Sequence, residues 1–255
     1  MMLLKDKVAV VYGAGGAIGG AVAGAFARAG ARVFLSGRNP ASVNVVAERI
    51  VAAGGWADVA QVDALDGQAV EQYVAGVVEQ TGRVDVSFND MGFDVVQGTA
   101  LVDLSLEDFS HPIATWTSAQ FLTARAAARH MVTKRSGVIL TLSASPARLA
   151  IALTGGFAVA CAAVEGLSRT LAAELGPQGV RVVCLRPHRI GETLSTIPDL
   201  PMPMEQFRGF LEDMTLLKRL TTLDDVANTA VFLASDHAAA MSGTVANLTG
   251  GISVD

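Results

Sequence analysis

The sequence predicts an α/β domain with a mainly parallel sheet, and three observations lead to this prediction. Short apolar runs typical of buried strands alternate with helical segments along most of the 255 residues. The run that begins at Val8 leads directly into a glycine-rich turn and an alanine-rich helix. Charged residues make up only 17% of the chain, against roughly 25% in typical domains. An alternating βαβ order requires parallel strands with right-handed crossovers, and the low charge indicates a buried sheet and subunit interfaces.

The local pattern of apolar residues predicts the position of each strand and helix. The predicted strands cover 8–12, 32–36, 56–62, 84–88, 138–142, 180–185 and 244–248. The predicted helices cover 18–29, 40–53, 68–80, 106–133 and 157–175, and a last helix ends at residue 234. Pro112 predicts a break in the long fourth helix, and Asp224 with Asp225 is expected to cap the last one. The segment from Pro187 to Asp213 is rich in Pro and Met. It predicts a mobile apolar lid at 188–213, with a solvated insertion of no function as the alternative.

Composition excludes several classes of protein. Nothing resembles a linker, so a single domain over 1–255 is expected. The longest apolar stretch, 149–164, is shorter than the ~18 residues of a membrane span, so no membrane partner is expected. The first seven residues lack a secretion signal, and we expect a cytoplasmic protein. Cys161 and Cys184 form no metal motif and four histidines are scattered, so no metal is expected. A net charge of −5 without a basic cluster argues against nucleic acid as a partner.

The glycines after the first strand predict a dinucleotide site. Gly13 permits a tight turn, and Gly15 and Gly16 leave backbone N–H groups uncovered. Gly19 lets the helix pack closely on the strand, so that a pyrophosphate can lie at the helix start, at Ala17 and Ile18. A glycine-rich turn without a ligand is the alternative interpretation.

The end of the second strand indicates which cofactor is bound. An acidic residue would hold the ribose of NAD about 20 residues after the glycines, but the chain has Gly37-Arg38-Asn39 there. Arg38 offers a cationic fork suited to a 2′-phosphate, which favours NADP. A solvated surface arginine is the alternative.

In parallel sheets the ligand crevice lies at the carboxyl ends of the strands. The segments that this rule brings to the crevice are 13–19, 37–38, 63, 89–93, 143–146 and 187–192.

With these motifs in this order, the whole chain resembles the short-chain dehydrogenase/reductase family, especially the branch similar to 3-oxoacyl-acyl-carrier-protein reductases. The family's Thr-Gly-x-x-x-Gly-x-Gly is similar to residues 12–19, with Tyr12 and Ala17 departing from it. Its adenine-contacting Asp is similar to Asp63, and its Asn-Asn-Ala-Gly to residues 89–92, starting at Asn89. The C-terminal signature is matched by Arg219, 225–227, 232–236, 242–243 and 250–251. The resemblance implies a Rossmann-like, doubly wound sheet of seven mainly parallel strands with helices on both faces, an NADP(H) cofactor and usually a homotetramer.

The family's catalytic residues do not carry over. Members use a Tyr and a Lys four residues later as the proton-donating pair, together with a Ser and an Asn. Here Phe157 stands at the Tyr position, Cys161 at the Lys position, Ala144 at the Ser position and Trp116 at the Asn position. After a one-residue slip, either neighbour of Ala144, Ser143 or Ser145, could serve as the Ser. The only tyrosines are Tyr12 and Tyr73 and the only lysines are at 5, 7, 134 and 218, so the spaced pair exists nowhere. We assign no catalytic residue from the sequence.

Three functional interpretations stay open. The chain could be a redox enzyme in which His188, Asp90 or Cys161 supplies the proton. It could be an NADP(H)-binding pseudoenzyme, acting as a cofactor sensor or a silent partner subunit. It could also be a non-redox enzyme in which Arg186, Arg189 and Glu192 hold an anionic substrate.

Overall fold

A computed structural model describes residues 2–92, 94–196 and 202–254, with Thr196 described by its backbone. The strands are β1 (Val8–Tyr12), β2 (Arg32–Gly37), β3 (Trp56–Gln61), β4 (Val86–Asn89), β5 (Gly137–Leu142), β6 (Val180–Pro187) and β7 (Val245–Leu248). They form one seven-stranded sheet in the order β3-β2-β1-β4-β5-β6-β7, and every neighbouring pair is parallel. The predicted fold class is confirmed.

Helices cover both faces of this sheet. They are α1 (Ala17–Arg28), α2 (Pro40–Ala52), α3 (Gly67–Thr81), α4 (Leu106–Lys134), α5 (Gly156–Leu175), α6 (Met204–Met214) and α7 (Leu223–Ala234). Side chains of α1, α2 and α7 share one buried apolar cluster with the sheet, and side chains of α3, α4 and α5 share another on the opposite face. This arrangement explains the low charged fraction, because the central strands are buried from both sides.

Helix starts follow local capping chemistry. Asn39 accepts a hydrogen bond from the Ala41 amide at the start of α2, and Pro40 occupies the first helical position, where its missing N–H is tolerated. At α7 the cap is Thr222, which exchanges hydrogen bonds with Asp225 in a capping box. Asp224 and Asp225 therefore lie within the first turn of α7, and the capping position itself belongs to Thr222.

The predicted break at Pro112 is wrong, because α4, which is 29 residues long, continues through this residue. Pro112 is buried, and its ring packs against the start of α5, where a Cβ added to Gly156 would lie 2.9 Å from Pro112 Cγ. One missing backbone hydrogen bond near the exposed start of a long helix is offset by this packing.

The predicted lid at 188–213 contains regular structure that the composition did not indicate. A 3-10 turn covers Gly191–Thr196, and α6 begins at Met204. Leu194 and Leu211 pack with Leu220 in a small apolar cluster separate from the two faces of the sheet. Residues 197–201 lie outside the described part of the chain, and mobility of the segment stays a prediction.

One helix passes a test for membrane spans by length and composition. It runs from α5 into the following turn, Gly156–Gln178, and 44% of its most apolar window is buried inside the protein. Within the described chain α5 packs against α4 and β6, so its apolar character matches that of a core helix.

Candidate functional site

The sheet aligns its carboxyl ends at a single crevice. Tyr12 at the end of β1 is in register with Ser36 of β2 and Asn89 of β4. The chain reverses its direction of winding between β1 and β4, which is where open α/β sheets bind ligands. A cavity of about 880 Å³ lies at this point and runs from Arg38 to Trp116.

The glycine turn forms the middle of the cavity wall. Gly13 has a φ of +67°, and a Cβ added there would lie 1.5 Å from the carbonyl oxygen of Asp90. A Cβ on Gly15 would lie 2.1 Å from Ser42 Oγ, so this wall has no room for side chains. In the described chain α1 starts at Ala17 with no side-chain cap, and Ala17 and Ile18 line the cavity. The turn therefore fits a dinucleotide, whose pyrophosphate would be held by backbone amides at the helix start.

The sequence predicts that adenosine binds at the end of the cavity near Arg38, called here the adenosine end. Arg38 is exposed and lines the cavity with Asn39 and Ser42 from the start of α2. Asp63 lines the same end, and its carboxylate accepts a hydrogen bond of 3.0 Å from the Leu65 amide. The structure thus brings Arg38 and Asp63, two of the predicted cofactor residues, to one end of the glycine turn.

Two other predicted cofactor residues occupy supporting positions. Asn89 is fully buried, and its side-chain oxygen accepts a 2.8 Å hydrogen bond from Ser87. Its backbone oxygen accepts from Gln120 Nε2 of α4 at 3.0 Å, which ties the end of β4 to α4. A Cβ on Gly19 would lie 2.4 Å from the Gly13 carbonyl oxygen, so Gly19 permits close packing of α1 as predicted. Whether Asn89 or Gly19 contacts a cofactor directly stays a prediction.

Asp90 places a carboxylate in the glycine turn. Asp90 Oδ2 accepts a 2.9 Å hydrogen bond from the Gly19 amide, and the residue lines the cavity. Burial raises the pKa of this carboxyl to about 6, and the Gly19 hydrogen bond acts in the opposite direction.

Part of the cavity wall was not predicted from the sequence. Ser42, Asp94 and Thr193 line it, as do His111 and Thr115 of α4. The latter two, with Ala119, follow an i, i+4, i+8 spacing, which places them on one face of a helix. That spacing could have identified them, whereas Thr193 belongs to a segment without a regular sequence pattern.

An apolar cluster lies at the other end of the cavity, where Trp116 lines the wall. Trp116 and Cys161 are buried in it, and Ala144 and Phe157 pack against them. The rings of Trp116 and Phe157 are stacked, with centroids 5.7 Å apart and an interplanar angle of 14°. A Cβ on Gly156 would lie 2.0 Å from the Phe109 carbonyl oxygen, so the start of α5 lies directly against α4. The structure therefore brings Trp116, Ala144, Phe157 and Cys161 together in one hydrophobic group.

Several polar side chains considered for the site have hydrogen-bond or ion-pair partners within the protein. Glu165 and Arg186 form a buried ion pair with an Arg186 Nε to Glu165 Oε1 distance of 2.7 Å. Ser143 donates to the same carboxylate oxygen at 3.0 Å. Glu192 accepts hydrogen bonds from the Leu223 amide at the start of α7. These contacts assign Arg186, Ser143 and Glu192 structural roles.

The candidate proton donors differ in their surroundings. Ser145 Oγ lies 2.7 Å from His188 Nδ1, and Ser145 is 3% exposed. Burial, with the charge of Arg189, lowers the pKa of His188 to about 4, so its imidazole is neutral at pH 7. Burial raises the pKa of the Cys161 thiol to about 12. Neither group has the pKa near the working pH that suits a general acid.

Potential metal ligands do not cluster among the described residues. Among residues 2–92, 94–196 and 202–254, no group of three or more His, Cys, Asp or Glu side chains could hold a metal ion.

Comparison with known proteins decides the family. The family model described as "Enoyl-(Acyl carrier protein) reductase" matches residues 13–253. The chain belongs to the short-chain dehydrogenase/reductase family. Members of this family are oxidoreductases that use NAD(P) cofactors.

Full-length relatives support this assignment. L-rhamnose 1-dehydrogenase (NAD(P)(+)) of Azotobacter vinelandii is 33% identical, over 100% of this chain and 99% of that protein. (+)-Borneol dehydrogenase 1 of Salvia officinalis is 30% identical, over 98% of this chain and 95% of its own length. The crystal structure of a short-chain type dehydrogenase/reductase from Mycobacterium marinum superimposes with a TM-score of 0.87 at 27% identity, covering 100% of this chain and 98% of that one. The family resemblance inferred from the motifs is confirmed.

Proposed function

We propose that this short-chain dehydrogenase/reductase binds NADP(H) and lacks the family's usual means of carbonyl reduction. One observation carries the proposal. Trp116, Ala144, Phe157 and Cys161, which the sequence motifs align with the family's catalytic tetrad, lie together in one apolar cluster. The redox activity is then non-standard or very weak, and a catalytically silent nucleotide-binding protein or partner subunit is the form that these contacts favour.

The chemical reason is the missing proton donor. Hydride delivery to a ketone leaves an alkoxide, which a positioned general acid must protonate. Phe157 has no acidic proton, and Cys161 supplies no ammonium group that would lower the pKa of a neighbour. Ala144 has no hydroxyl to stabilise the developing oxyanion, whose donors are each worth about 10²–10³-fold in rate.

The preference for NADP rests on Arg38. Its guanidinium is exposed at the adenosine end of the cavity, where a 2′-phosphate would lie between it and the start of α2. The comparisons do not decide between the two cofactors, since the rhamnose dehydrogenase is named for both.

A non-redox enzyme is not favoured by these contacts. Of the three residues considered for an anionic substrate, Arg186 is buried against Glu165, and Glu192 binds the start of α7. Arg189 and Glu192 are both exposed.

We further propose a cytoplasmic homotetramer that needs neither nucleic acid nor a membrane. Exposed apolar side chains on α4, α5 and α6, after α6 and near the C-terminus support association between copies; they are Phe121, Val159, Phe210, Leu216, Leu217 and Val254. A monomer would leave them in water.

Calorimetric titration tests the binding half of the proposal. NADPH, NADP⁺ and 2′,5′-ADP, which carries only the phosphorylated adenosine half, are titrated into the full chain. We expect all three to bind, with affinities within about tenfold of one another (about 1.4 kcal/mol), because the recognised groups lie at the adenosine end. A chain that binds none of them would contradict the proposal.

A further inference from the structure

Asp90 places a carboxylate close to the start of α1, where an anionic ligand would bind. Asp90 lines the cavity, and its carboxylate lies within the glycine turn, where Oδ2 accepts a hydrogen bond from the Gly19 amide of α1 at 2.9 Å. A Cβ on Gly16 would lie 4.0 Å from Asp90 Oδ2, so the carboxylate is adjacent to the first residues of the helix. By the family resemblance this position holds an asparagine, which is neutral.

We propose that Asp90 couples dinucleotide binding to proton uptake, because a pyrophosphate at the start of α1 favours the neutral form of its carboxyl group. The inference rests on the proposed function, since it concerns the same nucleotide. It assigns Asp90 a role in affinity that the sequence motifs did not indicate.

Electrostatics gives the reason. A pyrophosphate is negatively charged, and a negative charge close to a carboxyl group in a partly buried site favours the neutral form of that group. Without a ligand, burial already raises the pKa of the Asp90 carboxyl to about 6. A bound pyrophosphate excludes more water and adds a negative charge, and both effects raise the pKa further.

The surroundings offer this carboxylate no close cation among the described residues. The turn 13–19 and Asn89 are uncharged. Charged or titratable side chains that share the cavity come from the other elements, and they are Tyr12, Arg38, Asp63, Asp94 and His111. Arg38 and Asp63 lie at the adenosine end, and His111 and Asp94 lie toward the opposite end. All of these side chains are unchanged in an Asp90→Asn variant, so a comparison with that variant isolates the effect of Asp90.

Proton linkage fixes the direction of the pH dependence. The bound form has the higher pKa, so affinity is greatest below about pH 6 and falls as the pH rises above the pKa of the free carboxyl. It stops falling above the pKa of the bound form. When binding raises the pKa of Asp90 by about one, the affinity falls about fivefold between pH 6 and 8, and about tenfold over the whole pH range.

The 2′-phosphate of NADP also titrates, with a pKa near 6, and its effect has the opposite sign because Arg38 prefers its dianion. The test therefore compares the full chain with its Asp90→Asn variant, using the same ligand. Asn retains an oxygen that can accept from the Gly19 amide and removes only the ionisable group. A thermal unfolding scan of each protein checks that both are folded.

The decisive experiment is a titration of NADPH into both proteins from pH 5.5 to 8.5, by calorimetry in buffers of different ionisation enthalpy. We expect the unmodified chain to lose about eightfold more affinity than Asp90→Asn across this range, which is the change that a pKa raised by about one produces. The buffer dependence of the heat should show about half an additional proton taken up near pH 6.5. Parallel affinity profiles and equal proton uptake would overturn the inference while leaving NADPH binding intact. Absence of binding by both proteins at every pH would overturn the inference together with the proposed function.

Discussion

The two ends of the crevice are built from the same fold but have opposite chemistry. At the adenosine end, the turn that starts at Gly13 exposes backbone amides, and Arg38 and Asp63 present charges to the cavity. At the other end, Trp116 stacks on Phe157 in a cluster that includes two buried cysteines. Both ends lie at the carboxyl edge of one parallel sheet. The comparison shows that this fold can carry a polar surface at one end of the crevice and a packed apolar cluster at the other.

The largest effect is expected at the glycine turn. Substituting Gly13→Ala places a Cβ on a residue with φ of +67° and 1.5 Å from the Asp90 carbonyl oxygen, so the backbone must move. We expect destabilisation of more than about 4 kcal/mol and loss of nucleotide binding, measured by urea unfolding and calorimetry.

Gly82→Ala is the matched control for this substitution. Gly82 has a similar φ of +77°, but a Cβ there meets no described atom within 4 Å. It should cost only about 1–2 kcal/mol, from the left-handed backbone alone, and leave binding unchanged. Equal costs for the two variants would show that the close approach at Asp90 is unimportant.

At the opposite end we expect a stability effect without an effect on adenosine recognition. Trp116 is 5% exposed, and Trp116→Ala removes its stack on Phe157. The variant should lose about 3–5 kcal/mol of unfolding free energy, measured in urea, and its affinity for 2′,5′-ADP should stay unchanged.

Leu106→Ala on the same helix serves as the comparison, because Leu106 is 80% exposed. An exposed side chain of this kind predicts a cost of no more than about 1 kcal/mol. If Trp116→Ala also cost under about 1 kcal/mol, the apolar cluster would not be the packed core that we describe.

The smallest of these effects concerns cofactor preference. Arg38→Ala should weaken NADPH binding by about 10–100-fold, because charge-assisted bonds to the 2′-phosphate are worth about 1.5–3 kcal/mol. NADH affinity should not change. Arg49→Ala, at the far end of α2, should leave both affinities unchanged. Calorimetry that gives equal affinities of the unmodified chain for NADPH and NADH would contradict the assignment of Arg38.

Sequence patterns predicted the sheet well because each strand is a short apolar run and the glycines mark the first turn. The turn and Arg38 could be placed in the site because the order of elements alone brings the carboxyl ends of the strands together. The burial of Asn89, the continuity of α4 through Pro112 and the hydrogen bond between Ser145 and His188 could not be predicted. Each depends on a contact between segments distant in the sequence. The helix α6 was missed because flanking prolines and methionines dominate its local composition.

Turnover of NADPH by the unmodified chain tests the central claim most directly. Purified protein is assayed with NADPH against 3-oxoacyl thioesters, simple ketones, aldehydes and quinones. A variant carrying Ala144→Ser, Phe157→Tyr and Cys161→Lys is assayed beside it. We predict that the unmodified chain binds NADPH but oxidises it far more slowly than the ~1–10³ s⁻¹ of typical enzymes, because no described group at the tetrad positions can protonate the alkoxide. Turnover near ~1 s⁻¹ on any carbonyl of the panel would contradict the claim and show that another group supplies the proton.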